Sequence, residues 1–172
     1  MRTREQLVEF EAEVREVFFA AMLAGYAADA PKVGVTELPR AKMVVFARGD
    51  YVVNDFYFTA EGSRYSSGMT VIRHKGQPVW TLQYQGWYEL TAIPFLKRAL
   101  RCTYEQSIFR GGRGPKMFRQ GAYSYQNHVE EFRETFRHFV GREQVSRYEE
   151  GEGLKVAGWH EYQGMLYLPF AA

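Results

Sequence analysis

Residues 68–86, GMTVIRHKGQPVWTLQYQG, decide the fold class. Gly68–His74 and Pro78–Gln85 are two runs rich in β-branched and aromatic residues, separated by Lys75-Gly76-Gln77, a short glycine-containing segment that predicts a β-hairpin. Alternation along the second run puts Trp80, Leu82 and Tyr84 on one face and Val79, Thr81, Gln83 and Gln85 on the other. Upstream, Met43–Ala47 and Tyr51–Thr59 flank the turn Arg48-Gly49-Asp50, so four consecutive strands form an antiparallel meander. Residues 60–67 are small and polar and read as a loop.

Helical periodicity brackets this meander. Leu7, Phe10, Val14, Val17, Phe18, Ala21 and Met22 recur at spacings of three and four, predicting a helix over 3–24. Thr3 and Gln6 form a capping-box signature, and Gly25 supplies a stop. A second helix is predicted over Ala92–Thr103, with Pro94 in its first turn and Phe95, Leu96, Ala99 and Leu100 as its apolar stripe. Beyond it lie a basic, glycine-rich loop at 110–116 and further strands at Ala122–Val129, Gly141–Tyr148, Leu154–Gln163 and Met165–Phe170. Residues 128–140 fit either period, with strand favoured for their second half.

The second half echoes the first. Tyr84-Gln85-Gly86 recurs as Tyr162-Gln163-Gly164; Gly49 and Tyr51 recur as Gly121 and Tyr123; Gly68 and Ile72 recur as Gly141 and Val145. The expectation is an α+β fold in which a curved antiparallel sheet of about eight strands is built from two similar α-ββββ halves. The two helices pack on one of its faces. The chain reads as a single domain over 1–172, with repeat units at 26–90 and 91–168.

Composition narrows the function classes. In 172 residues the chain carries 13 Phe, 12 Tyr and 3 Trp, with 46% hydrophobic and 24% charged residues, which excludes disordered, collagenous and coiled-coil classes. Twenty-two basic against 20 acidic residues leave a net charge of +2, which argues against nucleic acid as a partner. The lone Cys102 forms no internal disulfide and fits a reducing compartment. No apolar run approaches a membrane span, and the polar start lacks a signal peptide's apolar stretch. Together these predict a cytoplasmic protein without membrane association; a homodimer stays open.

Gly49-Asp50-Tyr51, Asp55, Tyr57, Gly68, Val71, Gly76, Pro78-Val79-Trp80, Tyr84 and Gly86 resemble a bacterial family catalogued as domain of unknown function 5680. The later block from Phe136 to Val145, with Tyr162 and Gly164, carries the same resemblance. Some members of that family form the C-terminal part of helix-turn-helix regulators, which implies a sensing or interaction role. Here residue 3 already begins the domain, so no DNA-binding module is expected before it. Where the family tends to carry acidic residues after Gly68, this chain has Met69-Thr70, and no catalytic assignment transfers.

Several residues are candidates for a site. Tyr51, Val53, Asp55 and Tyr57 share one strand face, and a carboxylate flanked by phenols can accept a ligand's donor, with burial raising its pKa. The alternative is a structural Asp taking hydrogen bonds from tyrosines or backbone. His160 occupies the repeat position of Leu82 and should point inward beside Tyr162, either as a ligand-binding imidazole or as a core histidine. The histidine spacings give no metal motif, so neither a metal nor a cofactor is expected. Arg110-Gly-Gly-Arg113-Gly-Pro115 offers two arginines and flexible backbone to an anion, though it matches no phosphate-loop pattern; a solvated loop is the alternative.

Three functional readings follow. The first is a binding or sensing module with an aromatic pocket between the halves, lined by Tyr51, Asp55, Tyr57, Trp80, Tyr84, Tyr123, Tyr125 and His160. The second is a small-molecule or nucleotide-processing enzyme using Asp55 and His160 as acid and base, which requires the two to converge on one cavity. No nucleophile constellation supports catalysis further. The third is a regulatory interaction domain using the basic 97–119 surface.

Overall fold

The computed structural model describes residues 3–168. Thr3 caps α1 (Arg4–Ala24) through the anticipated reciprocal bonds with Gln6. A short 3-10 turn (Tyr26–Ala28) leads into five strands: β1 (Val33–Val35), β2 (Leu38–Arg48), β3 (Tyr51–Thr59), β4 (Tyr65–His74) and β5 (Gln77–Tyr88). A second 3-10 turn (Leu90–Ala92) precedes α2 (Ile93–Glu105), with Pro94 where its missing N–H is harmless. Then come β6 (Met117–Gln120), β7 (Tyr123–Glu134), β8 (His138–Glu149) and β9 (Gly153–Leu166).

The strands form one open antiparallel sheet in the order β1-β2-β3-β4-β5-β9-β8-β7-β6. The fold class is therefore the expected α+β arrangement, with nine strands among the described residues. The two additional short strands lie at the sheet edges, β1 beside β2 and β6 beside β7. The predicted break at Gly164 is absent. β9 runs through it, with Gly164 paired to Leu82 on one side and to Phe139 on the other, and the Phe139 ring fills the space that a side chain there would take. Phe170, in the last predicted strand, lies outside the described residues. In the ambiguous 128–140 region the chain stays extended to Glu134, turns, and re-enters the sheet at His138. The β4–β5 connection is a two-residue turn with positive φ at Lys75 (51°) and Gly76 (81°), the geometry that matches sheet twist.

Both helices lie on one face. Phe18 of α1 packs edge-on and tilted against Trp80, Tyr104, Phe109 and Phe136, with ring centroids 4.9–6.3 Å apart. Phe95 of α2 stacks on Tyr123 at 5.2 Å. Trp80 is fully buried between Phe136 and Phe139, and its indole N–H donates to the Phe136 carbonyl at 3.1 Å.

The sequence echoes have structural counterparts. Gly68 faces Tyr84 across β4–β5, and Gly141 faces Tyr162 across β8–β9. In each case the tyrosine ring lies over the glycine, where an added Cβ would collide with the phenol. Tyr84 and Tyr162 also pair with each other across the central β5–β9 seam, so the two motifs meet at the middle of the sheet.

Candidate functional site

Asp55 projects from β3 onto the helix-bearing face, directly across from Thr70 of β4. Its Oδ1 accepts the Thr70 hydroxyl at 2.9 Å and the Tyr84 hydroxyl at 3.0 Å. Its Oδ2 accepts no bond from the described residues and opens on a cavity of about 520 Å³. Burial raises the Asp55 pKa above 3.8; the Thr70 and Tyr84 bonds and the Arg113 charge offset this in part. A cavity of this size suits a small organic ligand.

The cavity is walled by tyrosines. Tyr26 and Tyr57 stand beside it, Tyr84, Tyr88 and Tyr104 line its interior, and His160 of β9 closes the seam. The His160 ring stacks on Tyr84 at 5.5 Å and meets the edge of Tyr88 at 4.7 Å. Burial, with Arg113 adding to it and Glu143 opposing, lowers its pKa to about 3, so the imidazole is neutral at physiological pH. Its Nδ1 is buried without a hydrogen-bond partner among the described residues. The Tyr88 hydroxyl is also buried, close to Glu143 but without a well-formed bond.

Behind this wall lies a second polar group. Arg113 and Glu143 are both buried and joined through two guanidinium nitrogens, Nε at 2.8 Å. Tyr125 donates to the other Glu143 oxygen at 2.6 Å and itself accepts the Gly114 backbone N–H at 2.8 Å. Burial raises the Glu143 pKa, but the Arg113 charge and hydrogen bonds outweigh it and hold the carboxyl below 4.5. Tyr162 donates to Asn127 at 2.6 Å, and Asn127 in turn donates to the Arg110 and Gly114 carbonyls.

The 110–114 loop is thereby a plug set into the interior. Gly111 lies under Tyr162 and Gly114 under Tyr125 with no room for side chains, and Gly112, with φ at +70°, packs tightly under Phe18. Its glycines serve packing, and neither arginine is free for an anion: Arg110 pairs with Glu134 at 2.6 Å and Arg113 with Glu143. Elsewhere along 97–119, Lys97 pairs with Asp29, Arg98 donates to Gln120 and Arg101 pairs with Glu105, which divides the basic stretch into local pairs.

Of the residues singled out in the sequence, Asp55, Tyr57, Tyr84 and His160 line one cavity. The others are placed elsewhere. Tyr51 stacks on His74 and donates to Glu13; Trp80 is core; Tyr123 packs on Phe95; Tyr125 serves Glu143. Sequence reasoning did not single out Glu143, yet the signal existed. In an alternating strand it shares the parity of Gly141 and Val145, and a carboxylate at an inward position needs a buried cation.

Ser66, His160 and Glu143 stand in the order of a hydrolase triad, with Oγ to Nε2 at 3.4 Å and Nδ1 to Oε1 at 3.8 Å. Both Glu143 oxygens are already taken by Arg113 and Tyr125. Glu143 therefore does not orient the imidazole, and the hydrogen-bond relay that activates a serine is missing. Among the described residues no group of three or more His, Cys, Asp and Glu side chains could hold a metal, and no helix is long and apolar enough to cross a membrane.

Fold and site together define an α+β domain in which an open antiparallel sheet and two helices enclose a tyrosine-walled cavity. The family model described as domain of unknown function 5680 matches residues 55–164, and the chain belongs to that family. No curated protein and no solved structure matches it significantly.

Proposed function

We propose that the protein is a small-molecule-binding module, with the ligand held in the cavity and anchored by Asp55. One observation carries this reading: Asp55 is a buried carboxylate with one oxygen satisfied by two hydroxyls and the other turned, unused, into open space. A purely structural Asp in a packed interior would have both oxygens bonded, because leaving a buried acceptor unpaired costs about 1–3 kcal/mol. Binding is favoured over acid–base catalysis because His160 is a weak base here and lacks an orienting partner. A sensing role, delivered to a partner in the cytoplasm, accords with this chemistry.

Ligand-observed NMR with a fragment library, followed by shift mapping on labelled protein, tests the proposal. Hits should perturb Asp55, Tyr84, Tyr88 and His160. Hits confined to the outer face of the sheet, or no hits, would refute it.

A further inference from the structure

The cavity is polarised from floor to rim. Asp55, Thr70, Tyr88, Tyr104, Arg113 and His160 are buried, whereas Lys32, Lys42 and Arg64 on the same lining are exposed. At the floor the Arg113 charge is cancelled by Glu143, so the free polar function there is the Asp55 carboxylate with its open Oδ2. That oxygen accepts a hydrogen and asks for an N–H or O–H donor.

At the rim the balance reverses. Lys97 is matched by Asp29, but Lys32, Lys42 and Arg64 have no ion pair among the described residues. The only carboxylate on the cavity lining is Asp55, at the far end. Lys32 lies within electrostatic reach of Asp29 and the Arg64 guanidinium sits over the Trp87 ring at 4.8 Å, yet none of the three is ion-paired among the described residues, so together they attract an anion to the opening, and their exposure keeps that attraction sensitive to salt. Between floor and rim the walls are phenol rings, with Tyr84 and the His160 imidazole stacked on each other. Such walls take a flat ring and leave hydroxyls for its polar edge.

Resting on the binding reading above, we propose that the ligand is a planar nitrogen heterocycle carrying an acidic substituent, such as a nucleoside monophosphate or a pterin carboxylate. Its N–H edge donates to Asp55 Oδ2, its ring lies among Tyr57, Tyr84 and His160, and its acid group meets Lys32, Lys42 and Arg64. Either end alone would leave half of this arrangement unused: a neutral aromatic ignores the rim, and a bare phosphate ignores the floor.

Titration calorimetry on the full chain reads this directly. The probes are guanosine 5′-monophosphate, adenosine 5′-monophosphate and pterin-6-carboxylate, each against its acid-free counterpart (guanosine, adenosine, pterin), with ribose 5-phosphate and indole as partial probes. At least one acid should bind tenfold or more tighter than its counterpart and than ribose 5-phosphate. Asp55→Asn should weaken that acid at least tenfold with the thermal transition intact. The double variant Lys32→Gln/Lys42→Gln should bring it toward its acid-free counterpart and flatten its salt dependence. If the acids bind no better than their counterparts, or ignore both variants, the ligand class is wrong. Indole shifting the cavity resonances would then leave the cavity reading standing, whereas no cavity shift with any probe would end both.

Discussion

The two halves of the sheet solve the same local problem with different residues, and the difference makes the site. Gly68 with Tyr84 and Gly141 with Tyr162 are equivalent pairs, and each tyrosine lies across the glycine so that its hydroxyl reaches the next strand but one: Tyr84 to Asp55 of β3, Tyr162 to Asn127 of β7. Across from these acceptors stand Thr70 in the first half and Glu143 in the second. In the second half the 110–114 loop enters the interior, supplies Arg113 to Glu143 and fills the remaining space with glycine backbone. In the first half no such plug reaches Asp55, and the space beside it stays open. One architecture thus carries a closed polar core on one side and an unfilled, acceptor-bearing cavity on the other. A buried carboxylate becomes structural or available according to whether a cation is delivered to it.

The strongest test of this contrast is the closed side. Glu143→Gln leaves Arg113 buried without a counter-charge, and removing one partner of a buried pair costs about 3–5 kcal/mol. That is a large part of the roughly 5–15 kcal/mol holding a domain together. Urea unfolding should show it, and a loss below about 1 kcal/mol would mean that the pair is wet. Trp80→Ala should have a comparable effect, about 3–5 kcal/mol, because the indole is core between Phe136 and Phe139. Ligand binding should survive in whatever fraction stays folded.

The two carboxylates should also respond to pH in opposite senses. Asp55 titrates above its ordinary 3.8 in the folded state, so stability falls as pH rises from that value through the folded pKa. Asp55→Asn removes this loss, and its stability relative to wild type should increase from pH 4 towards neutrality. Glu143 titrates below 4.5, so its contribution is present above that value and is lost as pH falls through the folded pKa. The Glu143→Gln deficit should therefore shrink in acid. Denaturant midpoints measured across pH 3–7 test both; parallel curves for the two variants would contradict the contrast.

A finer comparison uses the paired tyrosines. Tyr162→Phe strips a buried acceptor of its donor and should cost about 1–3 kcal/mol. Tyr84→Phe should cost less, about 0.5–1.5 kcal/mol, because Asp55 Oδ1 keeps Thr70 and the cavity admits water. Equal losses would mean that the first half is as closed as the second. The smallest effect is spectroscopic. With a pKa of about 3, the His160 ring signals should stay flat between pH 5 and 8.

The meander, both helices and the capping box were legible in the chain because they rest on short-range physics. Alternation, 3.6-residue spacing, a Thr–Gln pair and a Lys-Gly turn act within a few residues of one another. The edge strands β1 and β6 were not legible, being three and four residues long and held by a single neighbour each. Asp55 and His160 could be picked out because a polar residue at inward parity among aromatics is an anomaly in any register. Arg113 was read as a loop arginine offered to an anion, since nothing local to Arg110-Gly-Gly-Arg113 reveals that it enters the interior.

The α+β class, the inward face of the Trp80–Tyr84 strand and the echo between the halves are written in the chain, since each depends on periodicity, turn residues and recurring tyrosine–glycine motifs. Which inward-facing carboxylate meets a cation is settled by tertiary packing. Arg113 and Glu143 lie thirty residues apart, on a loop and a strand whose approach depends on how α2 packs against the sheet. Ion pairing and cavity volume are properties of that packing, and no spacing along the chain encodes them.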